Sequence, residues 1–106
     1  MKAAIALSKD QKTLYPGPFG HAPYFALVED CRLVEVIENP YARDEGGDKP
    51  KKLKALLAGA EVWVGKRFGH DHHPDHPPPP APHRKAGAPD LAGALEELGC
   101  GSTTSA

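Results

Sequence analysis

The sequence predicts an α/β domain built on a mixed sheet. Three observations point there. Two runs rich in Val, Phe, Tyr and Ile, "PYFALVED" and "RLVEVIEN", are joined through little more than "DC", the spacing of a tight hairpin. "KKLKALLAGA" then places Leu53, Leu56 and Leu57 at helical spacing. "EVWVG" follows as a short, nearly continuous apolar run, the mark of a strand buried on both faces of a parallel sheet. A hairpin followed by strand–helix crossovers argues for strands of both directions in one sheet.

Taken in order, "KAAIALS" (Lys2 to Ser8) reads as a first buried strand, although its alanines weaken the strand signal. "PGPFG" marks a loop. The hairpin strands come next, then a second loop, "NPYARDEGGDKP". The Leu-patterned helix has Asp48 to cap its start, Pro50 in its first turn and Gly59 at its end. After "EVWVG" and a His/Pro-rich segment, "APDLAGALEELG" reads as a second helix, with Pro89 near its start, Leu91, Ala94, Leu95 and Leu98 on one face, and Gly99 beyond its end. The tail "CGSTTSA" is at most a weak strand.

At 106 residues the chain holds one core and is expected to be a single domain, 1–106. Its 40 % apolar and 25 % charged residues are ordinary for a globular protein. A net charge of -1 gives no basic field for nucleic acid or an anionic membrane. No apolar run approaches the roughly 20 residues of a bilayer span, and the first residues do not form a signal peptide, so a cytoplasmic protein is expected. Cys31 and Cys100 lie in no recognisable ligand spacing.

The unusual segment is "HDHHPDHPPPPAPHRK", His70 to Lys85, which holds five of the six histidines and six prolines. His70, His72, His73 and His76, with Asp71 and Asp75, put six potential ligands within seven residues. Imidazole suits Zn, Ni, Cu and Fe, and carboxylates can complete such a site. Pro77 to Pro80 favour polyproline II, at about 3.1 Å per residue, which carries His83 away from this cluster. The plain alternative is a solvated loop with no specific ligand.

The stretches "FGHAPYF", "EVIENPYA" and "LLAGAEVWVG" together resemble the dinitrogenase iron-molybdenum cofactor biosynthesis domain, the family of NifX, NafY and the C-terminal part of NifB. The likeness runs from Met1 to about Gly99, apart from the His/Pro segment. It implies a ribonuclease H-like fold with strand order 3-2-1-4-5, here with a weak or truncated last strand. It also implies binding or carriage of an iron-sulfur or molybdenum-containing cluster or its precursor. Two departures matter. The family often has His just before the "FG", where this chain has Pro18, so His21 after it is the remaining candidate. The G-x-x-G turn after "EVWVG" survives as Gly65 and Gly69, but residues 66–88 then form a His/Pro-rich loop insertion.

The implied strand order brings the His21 loop and the His70 to His83 loop to one edge of the sheet, where open α/β sheets place their ligands. Gly20, His21, Gly65, Lys66, Arg67 and Gly69 are the cofactor-binding candidates, with Lys66 and Arg67 supplying positive charge. His21 could equally cap backbone groups of the "PGPFG" turn. The second helix start, near Asp90, is expected to face the same edge and favour an anion. The same order puts Cys31 and Cys100 several strands apart, so two free thiols are expected.

The first functional reading is a cluster carrier of the nitrogenase-accessory type, acting by binding and transfer without catalysis. No nucleophile–base pair or paired carboxylates stand at telling spacing. Its partners would be the cluster or metal ion and cofactor-assembly proteins, with a homodimer as one option. One alternative is a His-rich protein that binds or buffers Ni, Zn or Cu. Another is an interaction module that docks its Pro tract into an aromatic groove.

Overall fold

The computed structural model describes residues 2–43, 49–68 and 82–98, apart from the side chains of residues 49 and 50. Strands β1 (Lys2–Leu7), β2 (Tyr24–Glu29), β3 (Arg32–Glu38), β4 (Val62–Gly65) and β5 (His83–Lys85) form one sheet in the order β3-β2-β1-β4-β5. β1–β2 and β2–β3 are antiparallel, while β1–β4 and β4–β5 are parallel. Helices α1 (Lys49–Leu56) and α2 (Leu91–Glu97) complete the fold. The mixed sheet and its order are those expected.

β1 is central, and its side chains divide the core in two. Ala4 and Ala6 face the α1 side, with Phe19, Phe25, Leu53, Leu57, Trp63 and Phe68. Ala3, Ile5 and Leu7 face the α2 side, with Leu14, Ala26, Val28, Val64 and Ala94. The alanines that weakened the strand signal leave room for four large rings. Phe19 is the hub of these, with centroids 4.9 Å from Phe25, 5.0 Å from Trp63 and 5.2 Å from Phe68.

The hairpin turn is Asp30–Cys31, both at positive φ (50° and 70°), as a two-residue turn of the primed type requires. β3 is an edge strand, and its register against β2 shifts between Leu27 and Val28. Leu27 faces Glu35 and Val28 faces Leu33, so Val34 is the extra, bulged residue.

Two expectations are corrected. The fifth strand of the described sheet comes from His83–Lys85, inside the stretch read as a loop, and pairs Trp63 with His83 and Gly65 with Lys85; the tail, read as at most a weak strand, lies outside the described residues. Cys31 is not a free thiol but disulfide-bonded, and Cys100 lies outside the described residues. The distance argument assumed that the chain after α2 stays on the far side of the sheet. Instead Leu98, at the end of α2, packs in the same cluster as Val28, near the hairpin end.

The 8–13 turn holds α2 in place. Asp10 accepts hydrogen bonds from the backbone N–H of Lys12 and of Thr13, each 2.9 Å, and from the Thr13 hydroxyl. Lys12 and Leu14 then engage the helix start, through Leu91 N–H to Lys12 O at 2.8 Å and Leu14 N–H to Pro89 O at 3.0 Å. These backbone N–H bonds, those of Lys12 and Thr13, hold the Asp10 carboxyl below its ordinary range. A depressed carboxyl stabilises the fold fully above the unfolded value, near pH 4, and loses this as pH falls through the folded value. Acid titration by NMR should therefore loosen the α2 start at the low end of the carboxylate range, and Asp10→Asn should weaken that dependence. An unchanged acid profile in the variant would refute this.

Candidate functional site at the upper sheet edge

The C-terminal ends of β1 and β4 and the N-terminal end of β2 define the upper edge. The chain from Pro18 to Ala22 crosses it. Pro18 bridges Arg67 in parallel fashion, and Phe19 N–H donates to Arg67 O at 2.8 Å. Phe19–His21 then makes one 3₁₀ turn, closed by Ala22 N–H to Phe19 O at 3.3 Å. Phe19 is buried and fixes the turn from below.

Gly65 is what lets Phe19 in. A Cβ there would stand 3.1 Å from the Phe19 ring and 3.7 Å from the Ala6 Cβ. Its position answers a packing need. Gly20 contributes its carbonyl, which accepts from the Asn39 side chain at 3.0 Å.

Asn39 is the residue that sequence reasoning missed. It directly follows β3 and is buried, with only 5 % of its surface exposed. Its amide nitrogen donates to Gly20 O and, at 2.8 Å, to Ala22 O, while its side-chain oxygen accepts from Tyr41 N–H at 2.9 Å. One side chain thus ties the 3₁₀ turn to the end of the hairpin. The available signal was an amide directly after an apolar strand and before Pro40, in "IENP".

His21 stands at the end of that turn, half-buried. Its Nδ1 lies 2.9 Å from Ala42 O. A carbonyl only accepts, so Nδ1 carries the proton and, in the neutral ring, Nε2 carries the lone pair. Metal-ligating histidines are oriented by such a bond from the other ring nitrogen.

Lys66 and Arg67 extend β4 beyond Gly65, half-buried and exposed respectively. β5 adds Lys85 beside Gly65, a cation the sequence reading did not place there. The α2 start does reach this edge, but it is not an open anion site. Leu91 N–H is held by Lys12 O, and Gly93 N–H by the capping Asp90 carboxylate at 2.8 Å.

His83 does not join the edge. It sits at the level of Trp63, at the lower end of β4, with its ring 4.6 Å from Phe68. Gly69, His70, Asp71, His72, His73, Asp75, His76 and the Pro tract lie outside the described residues. Among the described residues no three of His, Cys, Asp and Glu gather as a metal cage, and no helix is long and apolar enough to cross a membrane.

The family model of the dinitrogenase iron-molybdenum cofactor domain matches residues 1–72. The chain belongs to this family. The match covers the Phe19–His21 turn, the hairpin with Asn39, α1 and β4, which are the elements that build the upper edge. The family places the domain among accessory domains related to the nitrogenase iron-molybdenum cofactor. A comparison with curated proteins found no match.

Proposed function

We propose that the domain binds and carries an iron-sulfur or molybdenum-containing cluster, or a precursor of one, at its upper sheet edge. The observation that carries this reading is the oriented His21 ring on a turn clamped by Asn39 and Phe19, within a chain of the iron-molybdenum cofactor family. His21 supplies a ligand through Nε2. Gly65 admits the Phe19 ring that supports the turn, and Gly20 and Gly69 are the positions where the backbone would approach the cargo. Lys66 and Arg67 supply positive charge toward an anionic cargo. A bare ion takes about four protein ligands, whereas a preassembled cluster brings its own bridging atoms and suits a site built around one imidazole. The role is binding and transfer, with cofactor-assembly proteins as donors and acceptors.

A second reading rests on the six potential ligands between His70 and His76. There the segment itself collects Ni, Zn or Cu, and the fold is its support.

Metal content and visible absorption of protein purified without oxygen separate the two. Wild type, His21→Ala and a deletion of residues 70–81 are compared. The carrier reading expects iron or molybdenum with a visible band in wild type and the deletion, reduced at least about tenfold in His21→Ala, the scale on which a lost ligand or its orienting partner acts. Full retention in His21→Ala would sink it. Metal lost with the segment, without a cluster band in any sample, would establish the second reading instead.

A further inference from the structure

The hairpin end of the sheet carries a covalent tie. Cys31 is disulfide-bonded, and the chain contains a single other cysteine, Cys100, so the bond within this chain is Cys31–Cys100. Cys31 is exposed and takes the second position of the hairpin turn, at φ 70°. The bond therefore joins that turn to the chain that follows α2, beyond Leu98.

α2 is held unequally along its length. At its start, Leu91 N–H donates to Lys12 O, Leu14 N–H donates to Pro89 O, and Asp90 bridges Thr13. From Ala94 to Leu98, no hydrogen bond among the described residues reaches the sheet. Glu97 instead turns back to accept from the N–H groups of Gly87 and Ala88, just ahead of the helix, at 2.9 and 3.0 Å. What remains is apolar packing. Ala94 is buried, while Leu95 and Leu98 are half-buried against the cluster that contains Ala3, Ile5 and Val28. A helix of 7 residues has little stability of its own and depends on such tertiary support.

We infer that the disulfide is a redox-sensitive lock on the C-terminal half of α2. A dithiol reductant opens it in the folded protein. One thiolate of the reductant attacks the sulfur of the exposed Cys31, a mixed disulfide forms, and the Cys100 thiolate leaves. The second thiol of the reductant then displaces Cys31. The reductant ends as a disulfide and the chain as two thiols, with two electrons and two protons transferred. Exposed disulfides are the ones open to such exchange. Opening removes the tie at the weakly held end of α2, while the helix start and the His21 edge keep theirs. The lock involves no cargo, so it stands apart from the carrier reading above.

The test uses the full chain, purified in air, before and after millimolar dithiothreitol without denaturant. A thiol assay should find no free thiol before reduction and both cysteines free after it, and a non-reducing gel should show monomer. Amide exchange followed by NMR should then quicken at least about tenfold at Leu95 and Leu98, with changes below about twofold at Ile5, Phe25 and Asn39. Cys31→Asn, which suits a left-handed turn position, and Cys100→Ser should each show the fast exchange without any response to the reductant. Free thiols before reduction, a disulfide-linked dimer, or a bond that opens only in urea would each overturn the inference. So would unchanged exchange in α2, or a rise spread evenly over the sheet.

Discussion

Phe19→Ala is expected to remove most of the folding stability. Phe19 is 2 % exposed, is stacked with Trp63 and Phe68, and packs at a tilt against Phe25. Truncating a buried phenylalanine costs about 3–5 kcal/mol, including the cavity it leaves. Domains of this size have a total of about 5–15 kcal/mol to lose. Nothing can refill the space cheaply, because the opposing positions are Ala4, Ala6 and Gly65. Trp63, the only tryptophan, is stacked on Phe19 at an interplanar angle of 12°, so its fluorescence reports directly on the site. Urea unfolding followed at Trp63 should show a large drop in midpoint, with Phe19→Leu between the variant and wild type. A loss below about 1 kcal/mol would mean that the turn is held by its backbone bonds and not by its ring.

Asn39→Ala has the second largest expected effect. It leaves two carbonyls, of Gly20 and Ala22, and the Tyr41 N–H without their partner. Buried polar groups left unsatisfied cost about 1–3 kcal/mol, and a loss of about 2–3 kcal/mol is expected here. Asn39→Asp is more informative. Its carboxylate would face two carbonyl oxygens, so folding favours the protonated form and raises the folded pKa. The penalty is then fully present above that raised value and shrinks as pH falls toward the unfolded one. This variant alone should gain stability on mild acidification, measured by urea midpoints across pH. A flat or opposite profile would show that Asn39 does not donate to both carbonyls.

Much of the fold was legible because local signals agreed with the global arrangement. The two residues between the hairpin runs required a primed turn, and Asp30 and Cys31 supply it. Pro89 and the spacing of Leu91, Ala94, Leu95 and Leu98 marked the second helix and its buried face. β5 was hidden for a physical reason. "HRK" joins the sheet through main-chain bonds at an exposed edge, where nothing demands apolar side chains. The Val34 bulge left no mark either, because one extra apolar residue in an apolar run changes no composition.

At the site, His21 could be singled out by its place in "FGHAPYF", but its orienting partner, Ala42 O, lies twenty-one positions away. The Asn39 clamp joins groups separated by seventeen and nineteen positions. Such pairings belong to the folded arrangement and have no local pattern to betray them. The helix start at Asp90 shows the converse. It was placed on the right edge, yet the Leu91 and Gly93 donors are already engaged by Lys12 and by its own cap.

The contact between Phe68 and His83 bears on how this domain can change over time. Phe68 is anchored in the aromatic cluster, and His83 is held in the sheet by Trp63. Whatever joins them leaves from and returns to two fixed posts whose rings are 4.6 Å apart. Doubling the length of such a connection costs only about 0.6 kcal/mol in closure entropy. A change in the length of chain between the two posts therefore alters the closure entropy only slightly, beside the larger energies that hold the aromatic hub and the Asn39 clamp.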